Sequence, residues 1–227
     1  MKILAVDTAS KSCSAAVVNQ NRVLAESVLS TGETHSKTIM GLIGGVLQSS
    51  GTILEDVDAY AVTRGPGSFT GIRIGISIVK GMASAGDKPV AGISTLDALA
   101  LQYSFSNCLI CPMLDAKRKE VYFAKYRFDK NGRMKKEIED SVMAPEKVIS
   151  GINEPCLFVG DGSVVYHDLI SKKLGELAVF APLFANTVRA SAVGYLGEEK
   201  IKSNDVYTAK SLEPFYLRKS DAEIKKS

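Results

Sequence analysis

The stretch Met1-Lys2-Ile3-Leu4-Ala5-Val6-Asp7-Thr8-Ala9-Ser10 places an uninterrupted apolar run directly before an acid and a polar loop. Such a run is typical of a central strand covered on both faces. The same order returns at Leu109-Ile110-Cys111-Pro112-Met113-Leu114-Asp115, followed by the polar loop Ala116-Lys117-Arg118-Lys119. Each copy therefore predicts a buried strand that ends in a carboxylate.

The segments after the two copies also correspond. Each copy continues into a hairpin, then a helical segment, then a strand that runs into a glycine loop, at Tyr60–Gly67 and at Leu157–Gly162. This repetition predicts an internal duplication of a βββαβα lobe, and hence an α/β fold. We place the lobes at residues 1–104 and 105–227, the second with a polar tail after Arg218.

Helical periodicity is clearest between residues 35 and 50, where the apolar positions follow an i, i+3, i+4, i+7, i+8 pattern. They are Ile39, Leu42, Ile43, Val46 and Leu47. Further helices are predicted over 70–85, 95–103, 164–173 and 187–202, with a strand over 89–94.

Charge is distributed unevenly along the 227 residues, whose net charge is only +3. Residues 1–114 hold 8 Lys+Arg and 8 Asp+Glu, whereas residues 115–227 hold 20 and 17. The balance differs from the strongly basic chain of an autonomous nucleic-acid binder. The sparsely charged first half fits either a deeply buried lobe or a lobe with an exposed adhesive face. The apolar runs are too short for a signal peptide or a membrane span, so we expect a cytoplasmic protein.

Four cysteines and two histidines limit the metal chemistry. Cys108 and Cys111 form a C-x-x-C motif, but within a buried strand their side chains would point to opposite faces, which favours core thiols. His35 opens a predicted helix, and the position where a helical partner ligand would stand is Ile39. We therefore predict no metal site. No catalytic nucleophile is evident either, because Ser68 lacks the G-x-S-x-G setting and no Cys–His pairing is visible.

Asp7 and the loop Gly65-Pro66-Gly67-Ser68 are the candidate ligand-binding groups. An acid at the carboxyl end of a central strand stands where α/β sheets bind ligands. The glycines at a strand–helix junction could cradle an anion or nucleotide, although the loop lacks the Walker ending. The alternatives are an aspartate that closes a tight turn and a glycine loop that only permits close packing.

Glycine pairs within two predicted helices suggest a protein–protein surface. Gly41 with Gly45, and Gly71 with Gly75, are four apart and so share a helix face. Interior glycines destabilise a helix, which favours a compensating close approach by another backbone. The predicted interface comprises His35, Ile39, Leu42, Gly45, Gly71, Arg73, Gly75 and Val79.

Three segments together resemble one protein family: Met1–Ser14, Val62–Ala83 and Pro214–Arg218. They are similar to the TsaB (YeaZ) family of bacterial tRNA threonylcarbamoyladenosine biosynthesis proteins, within the glycoprotease superfamily. The resemblance spans the chain and is strongest over residues 1–103. It implies a two-lobed actin-like/Hsp70/sugar-kinase (ribonuclease H-like) fold, in agreement with the duplication.

The resemblance also implies a function. Family members are needed to form N6-threonylcarbamoyladenosine at position 37 of tRNAs that read codons beginning with A. The chemistry belongs to the paralogue TsaD, whose metal is held by a His-x-x-x-His pair, of which this chain matches only His35. The implied role is a non-catalytic subunit without a cofactor of its own. ATP and a divalent metal are then used by partner subunits.

The implied partners are TsaD in a heterodimer formed by the first-lobe helices, the ATPase TsaE, and a second copy of the chain in isolation. The complex as a whole would meet tRNA, and no membrane is involved. An ATP-dependent phosphotransferase or a metallopeptidase of the same superfold is the alternative. Direct tRNA binding through Lys117–Lys119 or Arg133–Lys136 is also conceivable, but Glu120, Glu137 and Glu139 are interleaved with these cations and favour a solvated surface.

Overall fold

The computed structural model describes residues 1–30 and 35–218, and its first sheet has five strands. They are β1 (Lys2–Asp7), β2 (Cys13–Asn19), β3 (Arg22–Leu29), β4 (Ala59–Gly65) and β5 (Val90–Ser94). Their order is β3-β2-β1-β4-β5, in which β1 is antiparallel to β2 and parallel to β4. The central position of β1 explains its continuous apolar run.

The second sheet repeats this topology. Its strands are β6 (Leu109–Asp115), β7 (Val121–Phe128), β8 (Met134–Met143), β9 (Cys156–Val159) and β10 (Ala178–Phe180). Their order, β8-β7-β6-β9-β10, corresponds strand for strand to the first sheet, and β6 is again parallel to β9. The predicted duplication is confirmed.

Seven α-helices lie within the described residues. They are α1 (His35–Ser49), α2 (Phe69–Gly86), α3 (Thr95–Leu101), α4 (Pro145–Ile149), α5 (Asp161–Val165), α6 (His167–Leu174) and α7 (Ala190–Lys202). The helix predicted over 164–173 is instead two helices, because Tyr166 between them has φ −107° and ψ 19°, outside the helical range. No described helix has the length and apolar character required to cross a membrane.

The chain divides into two compact units, and their bounds differ from the predicted boundary at residue 104. Unit 1 comprises Met1–Ala98 and Val188–Phe215, and unit 2 comprises Leu99–Thr187 together with the tail from Tyr216. Helix α7 therefore belongs with the first sheet rather than the second. The polar tail predicted after Arg218 lies outside the described residues.

Both faces of the first sheet are covered within unit 1. Leu4 and Val6 share a core cluster with apolar residues of α1 and α2. On the opposite face, Gly194 of α7 packs so closely that a Cβ there would lie 2.7 Å from a methyl group of Val18 and 3.3 Å from that of Ala5. Small residues on α7 thus allow its backbone to lie directly on the sheet, which sequence order could not reveal.

The cysteines are all free thiols. Cys13, Cys111 and Cys156 are buried, whereas Cys108 is half-buried and stands just before β6. The core position predicted for Cys111 is confirmed.

Candidate functional site

The segments that carry the sequence motifs meet at the carboxyl end of β1, within unit 1. The Ser68 amide donates a hydrogen bond of 2.7 Å to the Ala9 carbonyl, which joins the glycine loop to the loop after β1. The Phe215 amide donates a bond of 2.7 Å to the Arg64 carbonyl, which joins the C-terminal segment to β4. Segments far apart in sequence therefore form one cluster, which we call the motif junction (residues 7–13, 63–71 and 207–215).

The junction requires glycines because neighbouring carbonyl oxygens leave no room for a Cβ at these positions. A Cβ on Gly67 would collide with the Ala9 carbonyl oxygen, and a Cβ on Gly71 with the Thr8 carbonyl oxygen. The Thr8 hydroxyl also donates a buried hydrogen bond of 2.7 Å to the Gly71 carbonyl. A carbonyl oxygen repels an anion, so this geometry favours the packing explanation of the glycine loop over a phosphate cradle.

Ser68 has a structural role in the same loop. Its hydroxyl accepts a hydrogen bond of 3.2 Å from the Gly71 amide and so caps the start of α2. Gly65 lies at φ +126°, a backbone conformation that side chains disfavour, and a Cβ there would collide with the Phe215 carbonyl oxygen. Both residues, predicted as ligand-binding groups, thus serve the fold of the junction.

Asp7 is a buried polar group of the motif junction whose hydrogen bonding is incomplete. Its Oδ1 accepts hydrogen bonds from the Thr63 hydroxyl at 2.7 Å and from the Ala9 amide at 3.1 Å. Its Oδ2 is buried and has no hydrogen-bond partner among the described residues. Burial disfavours the charged form and raises the pKa of Asp7 to about 6, although the two hydrogen bonds and the nearby His35 act in the opposite direction.

His35, at the start of α1, lies beside this carboxylate. Its Nε2 is 2.8 Å from the Ser10 carbonyl oxygen, and its imidazole forms a hydrogen-bonding contact with Cys13. The contact with Cys13 raises the pKa of His35, burial lowers it, and Asp7 raises it further. This Cys–His contact has no signal in the sequence, where no Cys–His pairing was visible, because it depends on how the start of α1 folds against the beginning of β2.

Arg64 was part of a motif but had no predicted role. Its guanidinium lies 5.2 Å from the ring centre of Tyr207 and 5.5 Å from that of Phe215, and it donates a hydrogen bond to the Tyr207 hydroxyl. Val90 and Tyr207 exchange two backbone hydrogen bonds at the free edge of β5. Arg64 therefore holds the C-terminal segment against the first sheet.

Comparison with known proteins places the chain in a family. The model of the family TsaD, tRNA N6-adenosine threonylcarbamoyltransferase, matches residues 22–226. The tRNA threonylcarbamoyladenosine biosynthesis protein TsaB of Bacillus subtilis is 31% identical over 99% of this chain and 97% of its own length. TsaB of Escherichia coli is 38% identical over 74% of this chain and 75% of its own length. The chain belongs to the TsaB family.

Solved structures agree with membership of the TsaB family. YeaZ from Pseudomonas aeruginosa superposes with a TM-score of 0.82 at 28% identity, covering 95% of this chain and 99% of that one. The activator of the 2-hydroxyisocaproyl-CoA dehydratase from Clostridium difficile, solved with bound ADPNP, has a TM-score of 0.51 at 12% identity and covers 95% and 100%. The latter likeness concerns the fold alone. The predicted actin-like fold is confirmed.

The interface predicted for this TsaB-family chain needs correction on α2. Gly71 and Gly75 do not face outward: both are buried, and a Cβ on Gly75 would collide with the Thr8 hydroxyl. Val79 and Ile39 are also fully buried. Spacing alone could not distinguish glycines that face the chain's own loop from glycines that face a partner.

Other members of the predicted interface do reach the surface. Gly45 and Arg73 are exposed, whereas His35 and Leu42 are half-buried. No described heavy atom outside the helix itself lies within 4 Å of a Cβ built on Gly45, and the same holds for Gly41 and Gly44. The face of α1 that carries these three glycines is called the glycine face below.

The second unit of this TsaB-family chain contains the counterpart of Asp7. Asp115 ends β6, and its carboxylate accepts hydrogen bonds from the Lys117 amide at 2.9 Å and from Lys117 Nζ at 2.7 Å. The corresponding strands β1 and β6 therefore end in carboxylates with opposite surroundings. Asp7 is buried and has one oxygen without a hydrogen-bond partner among the described residues, whereas Asp115 forms an ion pair. Among the described residues, no three His, Cys, Asp or Glu side chains form a group that could hold a metal ion.

Proposed function

We propose that this chain is the non-catalytic subunit of a complex that forms N6-threonylcarbamoyladenosine at position 37 of tRNAs that read codons beginning with A. In this proposal it pairs with the catalytic paralogue TsaD and acts together with the ATPase TsaE in the cytoplasm. ATP and the divalent metal are used by those partner subunits. In isolation, the same surface pairs two copies of the chain.

The glycine face of α1 is the observation that carries the proposal. Gly41, Gly44 and Gly45 are exposed, and a Cβ on any of them would meet no described atom outside the helix within 4 Å. No packing among the described residues therefore offsets the loss of helix stability that each glycine causes, about 0.5–1 kcal/mol. A partner backbone that lies close against this face would offset it. Met40 on the same helix is 53% exposed and offers an apolar contact beside the glycines.

Helix α2 extends this surface. Arg73, Ser77 and Gly81 are exposed on it, and a Cβ on Gly81 meets no described atom outside its helix within 4 Å. The Arg73 guanidinium lies 3.9 Å above the ring centre of Phe69, which orients its charge at the start of the helix. The proposed interface therefore consists of the outer faces of α1 and α2, while their inner faces belong to the core.

The surroundings of His35 support assignment of the chemistry to the partner. The residue one helical turn away is Ile39, whose side chain is 0% exposed. The imidazole itself is engaged by Ser10 and Cys13. The helix thus carries one imidazole, which already contacts Ser10 and Cys13, whereas the metal site of the paralogue would need two imidazoles as ligands.

The alternative of an ATP-dependent phosphotransferase would use Asp7 and the glycine loops of both units. In unit 2 as in unit 1 the glycines face the chain's own backbone, since a Cβ on Gly160 would lie 2.5 Å from the Met113 carbonyl oxygen. We therefore prefer the subunit role. Calorimetry with ATP and Mg²⁺ on the purified chain tests this choice: tight binding with turnover would support the phosphotransferase.

Gly45→Leu is expected to abolish co-purification with the TsaD paralogue while the chain itself remains folded. Gly45 is exposed, a Cβ there meets no described atom outside the helix within 4 Å, and leucine favours helix, so the fold should tolerate the change. The branched side chain would, however, hold a partner backbone away from α1. Affinity measured by calorimetry should fall by at least roughly tenfold, which corresponds to about 1.4 kcal/mol.

Lys173→Leu is the matched control, because it introduces the same side chain on an exposed position of α6 in the other unit. Circular dichroism and thermal unfolding of both variants establish that they fold. If Gly45→Leu binds the paralogue as tightly as the control does, the glycine face is not the interface.

A further inference from the structure

Helices α1 and α2 carry charge of one sign only. They hold three of the eight Lys and Arg residues in the first half of the chain, namely Lys37, Arg73 and Lys80, and none of its eight acids. The sequence has no Asp or Glu over residues 34–54 or over residues 59–86. Because neither helix contains an acid, the ion pairs that usually form between residues four apart on a helix are not available to these cations. The two helices therefore contribute positive charge alone to the surface of unit 1.

The cations accompany the outer faces of the two helices. Lys37 is exposed and stands four residues before Gly41, on the side of α1 that carries the glycine face. Lys80 is half-buried and stands seven residues after Arg73 and three after Ser77, which are both exposed. The apolar residues on the inner faces of both helices belong to the core of unit 1. The positive charge thus borders the surface that the proposed function assigns to a partner.

The surroundings of the lysines favour a protein partner over a nucleic acid. Three cations on two helices are sparse compared with the dense basic stripe that binds phosphates. Met40 is exposed between Lys37 and the glycines and offers apolar contact there. An apolar centre with a charged rim is the usual composition of a protein–protein interface. Arg73 already contacts the ring of Phe69, so the inference concerns the two lysines.

Charge of one sign is unfavourable when this surface meets a copy of itself. A symmetric pair formed through α1 and α2 brings Lys37 and Lys80 of both copies into one interface, and no acid on these helices offsets them. A partner that carries carboxylates on its facing surface would instead form ion pairs with the same lysines. Charges can therefore discriminate between the two pairings by favouring one and opposing the other.

We propose that Lys37 and Lys80 select a partner whose facing surface carries carboxylates, and that they oppose the pairing of two copies of this chain. The inference rests on the proposed function, which supplies the TsaD paralogue as that partner. Charges at the rim of an interface act mainly on the association rate and on its salt dependence. Because salt screens both attraction and repulsion, added salt should weaken pairing with the paralogue and strengthen self-association.

The test measures both dissociation constants between about 50 and 500 mM salt, a range over which screening changes strongly. Calorimetry gives the affinity for the paralogue, and analytical ultracentrifugation gives self-association. The double variant Lys37→Gln/Lys80→Gln removes the charges and keeps good helix formers. At low salt we expect it to bind the paralogue roughly fivefold more weakly and to self-associate more tightly than the wild type. Both affinities should also lose most of their salt dependence.

Opposite changes in the two affinities separate an effect of charge from damage to the fold, which would weaken both pairings. Lys172→Gln/Lys173→Gln is the matched control, because it removes two exposed charges from α6 in the other unit. The control should leave both dissociation constants near the wild-type values. Weaker binding of the Lys37→Gln/Lys80→Gln variant in both pairings would overturn the inference.

The remaining outcomes distinguish this inference from the proposed function. If the double variant binds the paralogue with unchanged affinity and salt dependence, the lysines do not select the partner and the subunit role stands. If it instead loses affinity only for a tRNA transcript, the cations contact nucleic acid and the inference is wrong. If the wild-type chain forms no complex with the paralogue, the proposed function fails and self-association decides. Tighter self-association of the variant would then still support repulsion between copies, whereas unchanged or absent self-association would overturn it.

Discussion

Gly71→Ala is expected to destabilise this protein by at least about 2 kcal/mol, a large loss for one methyl group. The added Cβ would collide with the Thr8 carbonyl oxygen, which belongs to the backbone and cannot move aside as a flexible side chain could. The Thr8 hydroxyl bond to the Gly71 carbonyl holds the two segments together at the same place. Relief of the collision must therefore shift α2 away from the loop after β1.

Gly81→Ala on the same helix is the matched control. Gly81 is exposed, and a Cβ there meets no described atom outside its helix within 4 Å, so alanine should stabilise the isolated chain by about 0.5–1 kcal/mol. Urea unfolding of both variants measures the two changes. Similar stabilities for the two variants would contradict the close packing of the motif junction.

Asp7→Asn is expected to stabilise the protein at neutral pH and to have much less effect in acid. The folded-state pKa of Asp7 is about 6 against an ordinary value of 3.8, so the native state binds this proton more tightly than the unfolded state does. Stability contributed by this group is therefore present below pH 4 and is lost as pH rises through about 6. The penalty above pH 7 is on the order of 3 kcal/mol, and roughly half of it is present at pH 5.

Asparagine retains an oxygen that can accept from Thr63 and Ala9 but carries no charge, so the variant escapes the penalty. The gain in unfolding free energy, measured with urea between pH 5 and 8, should grow as pH rises. Asp115→Asn is the control: it removes the ion pair with Lys117 and should give no gain at pH 8. If the gain in unfolding free energy for Asp7→Asn stays constant with pH, burial of the Asp7 charge does not destabilise the wild-type protein.

Much of the architecture follows from local patterns in the sequence. The apolar run before Asp7 and its counterpart before Asp115 predicted two central strands, because only a strand covered on both faces tolerates a run without polar alternation. The apolar spacing between Ile39 and Leu47 predicted α1 to within a residue at its C-terminal end. The order of elements then predicted the duplication, which the strand orders of both sheets confirm.

The motif junction was only partly predictable. Asp7 was identified as a candidate because the end of a central strand is a general location for functional groups. Its raised pKa could not be predicted, since it depends on complete burial and on the lack of a described hydrogen-bond partner for Oδ2. The contact between Cys13 and His35 and the role of Arg64 in holding the C-terminal segment likewise had no sequence signal, because each joins separate parts of the chain.

Local patterns of residues are enough to predict the duplicated α/β lobes, helix α1 and the glycine pairs spaced four residues apart. They do not predict which pair is buried, because burial depends on the complete fold. Gly71 and Gly75 face Thr8, whereas a Cβ on Gly41 or Gly45 would meet no described atom outside the helix within 4 Å. Periodicity establishes that two residues share a helix face, but the surroundings of that face are set by segments distant in sequence. Thr8 and Gly71 are 63 positions apart, and only the folded sheet brings them into contact.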